Sequence, residues 1–120
     1  MNMENESEVP DLMASSQEVQ KICCFNSGAF LMHFTVAYLD DTGTTRYYGG
    51  SGDYAVGEYR VIDMSTAPGI TPGTWIWARP TAVAGSTIEA VKKVKYSPNL
   101  NVSTYRVHGT TLSVKCDLVE

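Results

Sequence analysis

At 120 residues, 43% of them apolar and 18% charged, the chain has room for one compact core but not two, and its composition is globular rather than disordered. The net charge of -4 is uneven: Glu4, Glu6, Glu8, Asp11 and Glu18 fall in a start without Lys or Arg, leaving eight acids against nine bases over residues 21–120. That near-neutral body lacks the basic footprint of a nucleic-acid binder, and no run approaches the roughly 18 continuous apolar residues of a membrane-crossing helix; neither nucleic acid nor an integral membrane segment is expected.

Residues 1–18 are rich in Glu, Ser and Asn, so ordering them would cost backbone entropy that little buried surface offsets. They are expected to form an acidic flexible tail ahead of a β-sandwich domain over residues 19–120. The stretch from Val9 to Gln20 still carries enough apolar character to dock as an extra strand or short helix, on its own domain or on a neighbouring subunit. No basic n-region or long apolar run resembling a signal peptide opens the sequence. A cytoplasmic location is the expectation, with secretion if a leader was removed or export is non-classical.

From Val19 onward the apolar residues alternate. Phe30, Met32, Phe34, Val36 and Tyr38 share one face of a long run, the two-residue period of a strand and not the 3.6-residue period of a helix. Further strands are expected at Val19–Asn26, Thr44–Tyr48, Glu58–Met64, Thr74–Val83, Glu89–Tyr96, Ser103–Val107 and Thr111–Leu118. Gly- and Pro-bearing turns separate them: Asp40-Asp41-Thr42-Gly43, Gly49-Gly50-Ser51-Gly52, Pro68-Gly69, Pro72-Gly73, Ser97-Pro98-Asn99 and His108-Gly109. Seven to eight strands and no amphipathic helix predict an all-β, small antiparallel β-sandwich. Pro80 cannot donate to a ladder, which predicts an edge position or a bend there. The segment from Val107 to Leu112 predicts a tight hairpin joining the last two strands.

Cys24, Trp75 or Trp77, and Cys116 stand in the order of the immunoglobulin core. The cysteines lie too far apart, however, and no Tyr precedes Cys116 by two, so the architecture is immunoglobulin-like at most. Neighbouring Cys23 and Cys24 must point to opposite faces of a strand. Without a secretory leader the three cysteines are expected to be buried reduced thiols, the alternative being a disulfide from Cys23 or Cys24 to Cys116. Trp75 and Trp77 share a face, expected to be the core and otherwise a stacking platform.

The segment Tyr47-Tyr48-Gly49-Gly50-Ser51-Gly52-Asp53-Tyr54 places small residues between aromatics. Such a loop could set Tyr47, Tyr48 and Tyr54 around a ligand with Asp53 accepting a hydrogen bond, as in sugar-binding and paratope-like surfaces; otherwise it is an ordinary connection whose tyrosines cover the end of the sandwich. His33 reads as a residue of the less buried strand face and His108 as a turn residue. Neither has acids or thiols at a metal-ligand spacing, and no nucleophile signature is present, so no metal, cofactor or catalytic residue is expected.

The function expected first is a non-enzymatic interaction module that self-associates, as a homo-oligomer, through sheet edges and its N-terminal tail. The alternative is a lectin-like or surface-binding module taking a carbohydrate or surface ligand at the Tyr/Gly-rich loop. A small enzyme with an unrecognised site ranks last.

Overall fold

The computed structural model describes residues 10–120; the first nine residues of the expected tail lie outside that range. After a single 3-10 turn (Asp11–Met13), nine strands follow: β1 (Ala14–Val19), β2 (Lys21–Asn26), β3 (Met32–Leu39), β4 (Thr45–Tyr48), β5 (Tyr59–Asp63), β6 (Trp75–Ala82), β7 (Lys93–Tyr96), β8 (Val102–Thr110) and β9 (Ser113–Leu118). They form a five-stranded sheet in the order β1-β7-β6-β3-β4 and a four-stranded sheet in the order β5-β2-β8-β9.

The all-β sandwich expected from the alternation is present, and the face of Phe30, Met32, Phe34, Val36 and Tyr38 is buried as the pattern requires. The sheets are mixed and not wholly antiparallel, because β1 runs parallel to β7 and β2 parallel to β8. The additional strand is β1, which begins within the segment expected to be tail. Residues 14–19 pair with β7 of their own domain, so this segment is not a free strand awaiting a neighbour.

A single residue, Gln20, carries the chain from one sheet to the other. Its side chain is buried, yet every polar group finds a partner: Nε2 donates to the Asp63 carboxylate at 3.2 Å, Oε1 accepts from Leu100 N at 3.2 Å, and the backbone carbonyl accepts from Met64 N at 3.0 Å. Burying a polar corner is tolerable only because those bonds replace water.

Facing residues of the two sheets fill the core. Tyr38, Tyr54 and Tyr105 reach into it, and each hydroxyl donates to a carbonyl, of Pro68, Cys24 and Lys92 respectively. Asn26 is wholly buried at the end of β2. Its Nδ2 donates to Phe30 O at 2.8 Å and Tyr54 O at 3.3 Å, while its Oδ1 accepts from Gly28 N at 2.9 Å. One amide thus ties the end of β2 to the loop that follows it and to the backbone at Tyr54.

Two local expectations change. Pro80 lies on β6 inside the five-stranded sheet, opposite Phe34. It is tolerated because β7 pairs β6 only at Trp75 and Ile76; alongside Pro80 runs an irregular segment whose Ile88 N donates to Pro80 O at 3.0 Å, and no donor is demanded of the proline. The hairpin turn falls at Thr111-Leu112, and His108 is a strand residue opposite Lys115. Gly109 carries a φ of 101° within β8, where a Cβ would strike Ser113 O, so the left-handed conformation and the close approach both select glycine.

Candidate aromatic binding face

The outer face of the five-stranded sheet is built by the odd-numbered residues of β3, β4 and β6, since the even-numbered ones of β3 and β6 fill the core. Ala37 of β3 lies opposite both Tyr47 of β4 and Trp77 of β6. With only a methyl group between them, the two flanking rings roof the central strand, and Ala37 is fully buried on a face turned away from the core.

Glu89 organises this face from the segment after β6. Its Oε1 accepts from Trp77 Nε1 at 2.7 Å, and its Oε2 accepts from Arg79 Nε at 2.9 Å and from the Tyr47 hydroxyl at 3.4 Å. The Arg79 guanidinium lies 4.6 Å from the Tyr47 ring centroid and the Lys93 ammonium 4.3 Å from that of Trp77, both within cation–π range. Burial against the indole lowers the Lys93 pKa, with Glu89 acting in the opposite direction.

Trp75, two residues before Trp77 and on the same face, is only half-buried. Lys95 lies 5.1 Å from its ring. The indole lines two adjoining clefts. One, of ≈ 230 Å³, is flanked by Asp40, Asp41 and the Thr71–Thr74 turn; the other, of ≈ 660 Å³, is flanked by Asp11, Ser16, Glu18 and Lys95. In the first cleft Asp40 is held well below the usual carboxylate range, chiefly by the hydrogen bond from the Thr42 hydroxyl and then by Arg46, so it is an anion at any physiological pH.

No family model and no curated protein matches this chain. Among solved structures it is similar to pneumolysin (TM-score 0.45, 14% identity, covering 82% of this chain and 23% of that one) and to listeriolysin O (TM-score 0.44, 14% identity, 82% and 22%). It is also similar to the isolated membrane-binding domain of pneumolysin, with a TM-score of 0.45, 15% identity, and coverage of 83% of this chain and 95% of that one. The chain spans less than a quarter of the length of pneumolysin and of listeriolysin O.

Of the four residues expected to surround a ligand, Tyr47 alone contributes to this face. It is half-exposed on β4. Tyr48, next along the strand, turns the other way and its hydroxyl lies 2.6 Å from Thr66 Oγ1. Tyr54 is buried at 2% exposure, stacked edge-on against Phe34 with ring centroids 6.5 Å apart; burial raises its pKa above the ordinary value. Asp53 engages His33, Oδ1 to Nδ1 at 3.1 Å. The loop therefore does not gather its tyrosines around one point, because Tyr54 forms a two-way backbone bridge with Met32 that aims its ring inward.

Trp75 and Trp77, expected in the core, stand on the face of β6 opposite Ile76 and Ala78; Trp77 is nonetheless buried as part of the hydrophobic cluster, and Trp75 packs partly buried against it. Their alternation with Ile76 and Ala78 was legible; which set faced inward was not. The immunoglobulin arrangement of an inward Trp against a disulfide is absent, and all three cysteines are free.

The histidines each meet an acid, His33 with Asp53 and His108 Nε2 with Asp117 Oδ2 at 2.8 Å. These pairs lie on the outer faces of different sheets and share no cleft. Among the described residues no cluster of three or more His, Cys, Asp or Glu could hold a metal ion, and no helix is long and apolar enough to cross a membrane.

Proposed function

We propose that this domain is a non-enzymatic binding module that takes a carbohydrate on the outer face of the five-stranded sheet. The observation that carries the reading is the half-buried Trp75 indole between two clefts, with Asp40 and Asp41 on one side and Glu18 and Lys95 on the other. An aromatic ring offers a flat apolar surface to the C–H face of a sugar, and Asp41, Glu18 and Lys95 flank it to bond the hydroxyls, while Asp40, bonded to Thr42, Thr44 and Arg46, shapes the cleft wall; few polar groups around an apolar platform is the usual make-up of a ligand site. The neighbouring Trp77–Glu89–Arg79–Tyr47 cluster holds the platform rigid, so little ordering entropy opposes binding.

The test is binding to a panel of immobilised oligosaccharides by the wild type, Trp75→Ala and Tyr48→Phe. Binding that survives Tyr48→Phe and disappears in Trp75→Ala supports the reading. Absence of binding by the wild type, or binding indifferent to Trp75, overturns it.

A second reading, self-association through sheet edges, is supported by the open edge of β9. Its even-numbered residues have no backbone partner on that side among the described residues.

A further inference from the structure

We infer that β9 pairs with β9 of a second copy of this chain about a two-fold axis through Cys116, joining two four-stranded sheets into one; this rests on the self-association reading above. The phase of the ladder comes first. Val119 N donates to Thr104 O at 2.8 Å, so in the antiparallel register of β8 and β9 the odd-numbered residues of β9 spend their N–H and C=O groups on β8. The N–H and C=O groups of Val114, Cys116 and Leu118 point to the open side. No described segment bonds them.

A two-fold axis perpendicular to the sheet keeps faces matched, so residues meet across it only with partners of the same parity. Every residue-centred register satisfies that rule; the three about the middle of the strand, centred on Lys115, Cys116 and Asp117, keep most of it paired, and charge separates these three. Centring on Lys115 sets Lys115 against its own copy, and centring on Asp117 sets Asp117 against its own. Centring on Cys116 sets Lys115 opposite Asp117 of the second copy and Asp117 opposite its Lys115, two opposite-charge cross-strand pairs on the exposed face. On the inner face the same register brings Val114 against Leu118 of the second copy and the reverse. These side chains keep 7% and 9% exposure at the sheet edge, while Val107 on the adjoining strand has none. Open edges of this kind are ordinarily blocked by like charges or proline. Here the alternating charges, Lys then Asp, favour one antiparallel partner: the strand itself. Backbone bonds then supply affinity and the side chains the register.

The experiment is solution mass by light scattering and sedimentation, from low micromolar to near-millimolar concentration, for four full-length chains: wild type, Lys115→Asp, Asp117→Lys and the double exchange. The wild type is expected to approach twice the 13.1 kDa chain mass as concentration rises. Each single exchange sets like charges against each other twice and should weaken dimerisation at least tenfold, and the double exchange should restore it. Circular dichroism and thermal melting verify that each variant is folded. A wild type that stays monomeric throughout overturns both this inference and self-association. A dimer unmoved by the single exchanges, or one not restored by the double, overturns the β9 interface while leaving self-association standing through another edge.

Discussion

The indole N–H of Trp77 donates to Glu89 Oε1 at 2.7 Å, across 12 positions of sequence and from strand β6 to an irregular segment. The bond explains how a tryptophan on the outward face of a sheet is left at 5% exposure. The carboxylate satisfies the one polar atom of the ring, and Lys93, with Arg79 and Tyr47 beside it, closes the cluster.

Replacing Glu89 by Leu removes the acceptor of Trp77, Arg79 and Tyr47 together. Because Arg79 and Glu89 are each more than a third exposed, screening by water limits the loss to about 1 kcal/mol. Urea unfolding should report that decrease, and a shifted tryptophan emission should accompany it in the folded protein.

The two tryptophans should separate stability from binding. Trp77→Ala empties a buried site and is expected to cost about 3 kcal/mol. Trp75→Ala, at a half-buried position, should cost about 1 kcal/mol and remove the oligosaccharide binding proposed above. Equal destabilisation by both would show that Trp75 serves packing.

Asn26 is the polar residue on which the end of β2 depends. Asn26→Leu leaves Gly28 N and Phe30 O without their side-chain partner in a buried setting, a loss of about 2–4 kcal/mol. The midpoint of urea unfolding should fall with little change in slope.

Acid stability follows from Asp40 and Asp63. The first is lowered by the Thr42 hydroxyl and Arg46, the second by the Ser65 N–H and, less strongly, by Gln20. For a carboxyl whose folded pKa is depressed, the unfolded state binds protons more readily. The stabilisation is complete above the unfolded value of 3.8 and disappears as pH falls through the lower folded values. Thermal melting should be insensitive to pH between neutrality and about 5 on account of these groups and drop steeply below 4, with a shallower drop in Asp63→Asn.

The thiols should be silent in the folded state. Burial raises Cys24 well above the ordinary thiol value and raises Cys116 to about 12; Cys23 is also raised by burial. Since the thiolate is the nucleophile, iodoacetamide at mildly alkaline pH should leave the native protein unmodified and alkylate all three cysteines once urea unfolds it. Rapid labelling of the native chain would show that the sheets open locally.

The strands were legible because the buried faces of β8 and β9, and most of β3, repeat every two residues and most turns carry Gly or Pro, the Thr111-Leu112 turn excepted. Residues 14–19 were not, because β1 is an edge strand with only Ser15 and Val19 buried, too few for a period. Of the candidate site, the sequence marked Tyr47, Trp75 and Trp77 as separate features and could not join them. Their union depends on Ala37 standing between β4 and β6, and on Glu89 folding back from a segment with no ladder of its own. The sequence by itself determined the strands and the alternation along them, since both follow from local backbone geometry and side-chain parity. Only the tertiary structure decided which face of β6 turned inward, that Tyr54 joined the core, and that no described segment paired with the outer edge of β9. Those outcomes rest on which strands become neighbours, and that is set by the packing of the whole chain.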